Sequence, residues 1–217
     1  LEEKIETYDI KNKISEKKIY KSSITIAKPR VVIAAFPGTN SEYDMYNRFN
    51  ENGGEAKITL LRNLTQDHLV ESVDEMCKDL RNSQIFVLPG GFSAGDEPDG
   101  SGKFMAAVLQ NPKLMDEIKA FLDRDGLILG VCNGFQALVK SGLLPYGEIG
   151  NVHENSPTLT FNKIGRHISQ IVKTKIVTNN SPWLSSFEIG ETFDIPVSHG
   201  EGRFYASDEV LKQLFEN

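Results

Sequence analysis

From Arg30 the chain reads RVVIAAF, an unbroken apolar run of strand length and the mark of a strand buried on both faces. A helical pattern follows from about Glu42 and stops at Gly53-Gly54. Thr39 and Glu42 have capping-box spacing, and Ser41 suits the N-cap equally well. EAKITLL reads as a second strand, and TQDHLVESVDEMCKDLRN as an amphipathic helix capped by Thr65. QIFVL is a third strand, ending in the loop PGGFSAGDEPDGSGK. A helical region over about 104–124 is interrupted near Pro112, and LILGV is a fourth strand before a helix that ends at Gly142.

Strands alternating with helices at this spacing predict an α/β fold, an open, mostly parallel sheet with helices on both faces. Chemistry in such sheets gathers beyond the carboxyl ends of the strands, where PGTN, PGGFSAGD and VCNG fall. After residue 150 the rhythm changes to short strand-like runs, TLTF, SQIVKTKIVT and TFDIPVS, and a last helix covers about Asp208 to Phe215.

Residues 1–28 are rich in Lys, Glu and Ile and read as a linker or adaptor, leaving 29–217 as the main domain. The first residue is not methionine, so the expectation is a piece of something longer. A chain of 217 residues buries roughly 70% of its unfolded surface and needs no disulfide or metal staple. No apolar run approaches the roughly 18 residues of a membrane span, and the charged N-terminus is unlike a signal peptide. A net charge of −6 without a basic stripe argues against nucleic acid as a partner. Cys77 and Cys132 lie in unrelated contexts, which suits a reducing, cytoplasmic compartment.

Gly130-Val131-Cys132-Asn133-Gly134 has the G-x-nucleophile-x-G form of a nucleophile elbow. The strand-to-helix turn would hold the thiol at a helix N-terminus, where unpaired N–H groups favour the thiolate. Asn133 N–H is then placed to donate to an oxyanion. A buried structural cysteine at an ordinary turn competes with this reading on the pentapeptide alone. Cys77, inside VDEMCKDL, has no such frame and reads as packing.

A thiolate needs a base. His68 and His167 suit surface or capping roles, and His153 lies in a loop. His199 ends a strand in IPVSHGEGRF with Glu201 two residues on, so alternation puts both side chains on one face. A base with its orienting carboxylate follows, although a solvated turn with incidental charges also fits that motif by itself. The order Cys, His, Glu differs from the alpha/beta-hydrolase order, and papain-like enzymes carry their cysteine near the mature N-terminus.

The Gly-rich loop is not a phosphate loop. The G-x-x-x-x-G-K-[ST] spacing is absent, and Asp96, Glu97 and Asp99 would repel phosphate. The N–H groups near Gly91 and Phe92 fit better as the second half of an oxyanion hole. No ligand spacing supports a metal site.

GVCNGFQ, PGGFSAGD and SHGEGRF, with FPGTNSEYD at the first strand, together resemble the class I (triad) glutamine amidotransferase domains, whose fold is flavodoxin-like. Within that class the likeness is to the glutaminases of phosphoribosylformylglycinamidine synthases, over roughly Lys28 to Phe215. The longer loop GDEPDGSG looks like the variant of chains in which the glutaminase is fused behind a synthetase. The resemblance implies that Cys132 attacks the glutamine amide, with His199 as general base and then acid. It implies that Glu201 orients His199 and that Gln136 helps hold the substrate. Ammonia would pass to a synthetase domain or subunit that turns formylglycinamide ribonucleotide into formylglycinamidine ribonucleotide for purine synthesis. ATP and magnesium are expected only in that synthetase part, so this chain carries no cofactor.

Two departures stand out. Ser41 occupies a position where many relatives have cysteine, and the chain stops about sixteen residues after Glu201 where relatives continue, which predicts a C-terminal truncation. Two other readings remain open on these residues: a cysteine hydrolase or peptidase of similar fold, and a non-catalytic glutamine-sensing subunit.

Overall fold

The computed structural model describes Ile10 and residues 26–92 and 102–216. The expected linker falls outside the described residues except for Ile10 and residues 26–28, and so does the loop stretch 93–101.

Four parallel strands form the main sheet: β1 (Arg30–Ala35), β2 (Glu55–Leu60), β3 (Ile85–Leu88) and β4 (Leu127–Gly130), in the order β2-β1-β3-β4. The connecting helices are α1 (Glu42–Glu51), α2 (Gln66–Arg81), α3 (Lys103–Leu109) and α4 (Pro112–Asp123), and α5 (Asn133–Ser141) follows β4. The doubly wound architecture is as the alternation of patterns predicts.

Central β1 is covered on both faces, and its five residues after Arg30 are buried. Val32 and Ala34 point into the larger core with Phe86 and Leu88 of β3, Met76 and Leu80 of α2, Ile118 and Phe121 of α4, and Leu138 of α5. Val31, Ile33 and Val87 face the other way, against Met45 and Phe49 of α1. Consecutive side chains of a strand leave on opposite faces, so one apolar run serves two cores.

The helix ends follow local chemistry, with one exception. Thr65 Oγ1 caps α2 by accepting His68 N–H at 3.1 Å, and Asn111 caps α4 ahead of Pro112 at the first helical position. At α1 the expected side-chain cap does not form. Ser41 is the N-cap residue, yet its hydroxyl accepts no N–H from the helix. Thr39 Oγ1 is engaged with Phe36, donating to its carbonyl at 2.9 Å.

Beyond residue 150, β5 (Thr158–Thr160) pairs antiparallel with β8 (Arg203–Tyr205), and β6 (Ile168–Lys175) with β7 (Thr192–His199). The short helix α6 (Leu143–Tyr146) and β8 are elements the sequence pattern does not predict, and α7 (Asp208–Glu216) is the expected last helix. The edge of β4 is not bare, because Trp183 Nε1 donates to the Ile128 carbonyl at 3.1 Å. Among the described residues no helix is long and apolar enough to cross a membrane.

Candidate active site

Sheet order decides which loops meet. Strands β1, β3 and β4 are neighbours and parallel, so the segments after Ala35, Leu88 and Gly130 emerge side by side at one edge.

The elbow is tightly drawn. Cys132 is the N-cap of α5 with φ 52° and ψ −111°, a backbone conformation that costs a residue with a side chain about 1–3 kcal/mol. Its two flanking glycines have no room for a Cβ. One on Gly130 would lie 2.6 Å from Leu138 Cδ1, and one on Gly134 would run into the Leu88 carbonyl. Helix α5 therefore rests directly on β3, and Cys132 is exposed above that contact. Cys77 is the opposite case. It is buried in α2, and desolvation pushes its thiol up from the usual value, with the Glu117 charge adding to the effect.

The oxyanion candidates can be sorted by where their N–H groups point. Phe92 N–H donates to Gly38 O at 2.9 Å and is committed to the β1 loop. Gly90 O accepts Asn40 N–H at 3.2 Å, so the Gly90 carbonyl also points to that loop. A peptide is planar and trans, so the next N–H, that of Gly91, points the opposite way, toward the β4 side where the elbow stands. A Cβ built on Gly90 would lie 3.2 Å from Cys132 Cβ, which measures how closely the two loops approach. Asn133, at the first position of α5, carries its N–H at the positive helix end.

His199 ends β7, opposite Ile168 of β6. The strand stops there and the chain bends at Gly200 and Glu201, so strand alternation does not set the relation between His199 and Glu201. Main-chain contacts do. Gly202 N–H donates to His199 Nδ1 at 3.0 Å, and a Cβ on Gly202 would sit 2.5 Å from the imidazole Cγ. Buried Asn162 holds the same bend, its Nδ2 donating to His199 O at 2.8 Å and its N–H to Gly200 O at 2.8 Å.

The link between the bend and the elbow is Gln136, one helical turn beyond the cysteine. Its Nε2 donates to Glu201 O at 3.2 Å, and its Oε1 accepts from Asn133 Nδ2 at 3.3 Å. Residues 65 positions apart in sequence are thereby brought to one edge of the sheet.

The other histidines stay away from this arrangement: His68 lies in the first turn of α2, His153 packs its ring near Tyr146, and His167 Nε2 bonds Ser198 Oγ at 2.9 Å. Among the described residues no three His, Cys or carboxylate side chains form a metal-ligand set. Asn162 and Ser41 are the site-building residues that sequence reasoning missed. Asn162 reads as a turn residue in TFNKIG, and nothing in its spacing points 37 residues ahead to His199.

A strained cysteine at this turn beside a Gly-Gly loop is an acyl-transfer geometry, and comparison with known proteins decides the family. The model of the CobB/CobQ-like glutamine amidotransferase domain matches residues 28–217. The chain belongs to that family. This glutamine amidotransferase is 33% identical over 187 residues to phosphoribosylformylglycinamidine synthase subunit PurQ of Wolinella succinogenes, covering 86% of this chain and 72% of the relative. It is 32% identical over 185 residues to the Thermotoga maritima subunit of the same name, covering 84% and 71%. A solved structure described as PurLQS from Thermotoga maritima superposes with a TM-score of 0.62 at 30% identity, over 84% of this chain and 71% of that one. The amidotransferase fold and family read from the three loop motifs are thus borne out.

Proposed function

We propose that this chain is the glutaminase part of a phosphoribosylformylglycinamidine synthase, working in the cytoplasm. Cys132 Sγ attacks the side-chain amide carbon of glutamine, and His199 takes the thiol proton. The tetrahedral oxygen is received by the N–H groups of Asn133 and Gly91. Collapse breaks the C–N bond, His199 returns the proton to the leaving nitrogen as ammonia, and a thioester remains on Cys132. Water, deprotonated by His199, then releases glutamate and restores the thiol. Glu201 orients the imidazole and stabilises its charged form. Gln136 Nε2 carries a second hydrogen beyond the one given to Glu201 O, and that hydrogen is the contact offered to the substrate.

The ammonia passes to a synthetase that uses ATP and magnesium to convert formylglycinamide ribonucleotide to formylglycinamidine ribonucleotide. Neither ATP nor magnesium is held by this chain in this scheme. The observation that carries the reading is the backbone of Cys132 at φ 52°, locked between two glycines that tolerate no side chain. Support for the pathway comes from the names of the relatives.

The test is glutamate release by this chain mixed with a synthetase and its nucleotide substrates, with Cys132→Ala as control. Release that falls by roughly 10⁴-fold or more in the variant supports the scheme. Unchanged release in Cys132→Ala would overturn it.

A further inference from the structure

Ser41 stands at the N-cap of α1 and caps nothing there. Serine is among the preferred N-cap residues because its oxygen can accept a helix N–H, a bond worth typically about 1 kcal/mol. Here the oxygen is turned to the neighbouring loop instead, where Ser41 Oγ accepts Gly90 N–H at 2.8 Å. The same Gly90 gives its carbonyl to Asn40 N–H at 3.2 Å. Consecutive residues of the β1 loop therefore hold the two peptides that meet at Gly90. Ser41 holds the Pro89–Gly90 peptide through its N–H, and Asn40 holds the Gly90–Gly91 peptide, which carries Gly91 N–H, through its carbonyl, so the glycine between them is pinned from both sides. A Cβ on Gly90 would lie 3.3 Å from Ser41 Oγ and 3.2 Å from Cys132 Cβ, so serine and nucleophile both lie against this one residue.

Gly91 has φ 130°, a conformation open to glycine, and a Gly-Gly peptide has little intrinsic preference for one orientation over its flip. If the Gly90–Gly91 peptide turned over, its carbonyl rather than its N–H would face the elbow. An oxygen there would repel a developing oxyanion, so the orientation matters to the chemistry.

We propose that Ser41 is a positioning residue for the reaction: its hydroxyl, withdrawn from the cap of α1, anchors Gly90 so that Gly91 N–H faces the carbon attacked by Cys132. This rests on the glutaminase reading for its rate effect, but the anchoring itself is tested apart from turnover. The anchor acts on tetrahedral species and leaves the thiol's own access unchanged.

The experiment compares the parent chain, Ser41→Ala and Ser41→Thr. Glutamine hydrolysis with the synthetase present gives kcat and KM. Addition of ¹³C-labelled butanal, read by NMR, reports the tetrahedral hemithioacetal on Cys132. Alkylation by iodoacetamide, which forms no oxyanion, reports thiol reactivity. For Ser41→Ala, kcat should fall ~10–100-fold, less than the ~10²–10³ seen on deleting a donor outright. KM should change little, and butanal affinity should weaken alongside kcat while alkylation stays within about twofold of the parent. Ser41→Thr, which keeps an oxygen at the same atom, should recover most of both losses.

Butanal affinity unchanged in Ser41→Ala would overturn the proposal. So would a parallel fall in alkylation and butanal affinity, because that result means the elbow itself has moved. A parent that binds butanal but releases no glutamate speaks against the glutaminase reading, while the butanal comparison still decides the role of Ser41.

Discussion

The main-chain N–H of Gly202 donates to Nδ1 of His199 across 3.0 Å. A nitrogen that accepts a hydrogen bond carries no proton, so the neutral imidazole in this arrangement bears its proton on Nε2. The resting chain should therefore show His199 with Nδ1 bare and Nε2 protonated. Nitrogen NMR of the ¹⁵N-imidazole-labelled protein checks this, and a protonated Nδ1 in the neutral ring would contradict the geometry. Gly202→Ala should displace the ring, since its Cβ would sit 2.5 Å from Cγ, and lower kcat by ~10²-fold.

The elbow glycines are expected to fail differently from one another. Gly134→Ala drives a methyl into the Leu88 carbonyl, where backbone cannot yield cheaply. The loss should be about 1–3 kcal/mol of stability, with the thiol tilted out of the site. Gly130→Ala meets chiefly the tip of Leu138, a flexible side chain, together with the Gly134 backbone at 2.8 Å. Denaturant midpoints for the two variants measure the difference, and equal midpoints at the parent value would refute both.

Two amides hold the bend at His199, and loss of the Asn162 amide should cost rate more than binding. Asn162→Ala leaves the carbonyls of His199 and Arg166 without their shared donor, at about 1–3 kcal/mol of stability. Asn162→Asp keeps the shape but points an oxygen at those carbonyls, so it should be no better. Gln136→Glu sets a carboxylate against Glu201 O in the same way. For all three, kcat should drop ~10–100-fold. A parent-like kcat in Asn162→Asp would remove it from the site.

Cys132 should be labelled by a diazo-ketone analogue of glutamine, and Cys77 only after unfolding, because one thiol is exposed and the other buried. Peptide mapping separates them. Burial raises the Cys77 thiol above the ordinary value of 9.0. The unfolded chain then loses this proton first as pH rises, so it holds fewer protons than the native chain between the two values. The stability associated with the protonated thiol is complete below the unfolded value and declines as pH climbs toward the folded one. Cys77→Val should flatten that alkaline decline, measured as unfolding free energy against pH from about 8 upward, just below the ordinary thiol value. An unaltered slope would assign the decline to other groups.

Much of the scaffold is legible in the sequence because its signals are local. The apolar run at Val31–Ala35, the cap at Thr65 and the proline opening α4 each act within a few residues, and each element forms as the pattern predicts. The misses have a common cause. β8 is only Arg203–Tyr205, too short to show alternation, and it exists through its pairing with β5. Ser41 has every local reason to cap α1, but a partner 49 residues away competes for its oxygen. His199 and Glu201 read as strand neighbours, yet Asn162 and Gly202 hold a bend there instead.

Local sequence supplies the chemical parts: the thiol between two glycines, a histidine with a nearby carboxylate, the Gly-Gly loop and the alternation that builds a parallel sheet. Tertiary structure decided how they face one another. Pairing of β1 with β3 and of β3 with β4 sets three loops side by side, and only then do Ser41, Gly90 and Cys132 become neighbours. Only folding brings Glu201 O to Gln136 and turns Gly91 N–H rather than Phe92 N–H toward the elbow side. The difference is one of range. Propensity, capping and glycine sterics act over a few residues and are written in short stretches of chain. The direction of a hydrogen bond across a sheet edge depends on register between strands far apart in sequence, which no local pattern carries.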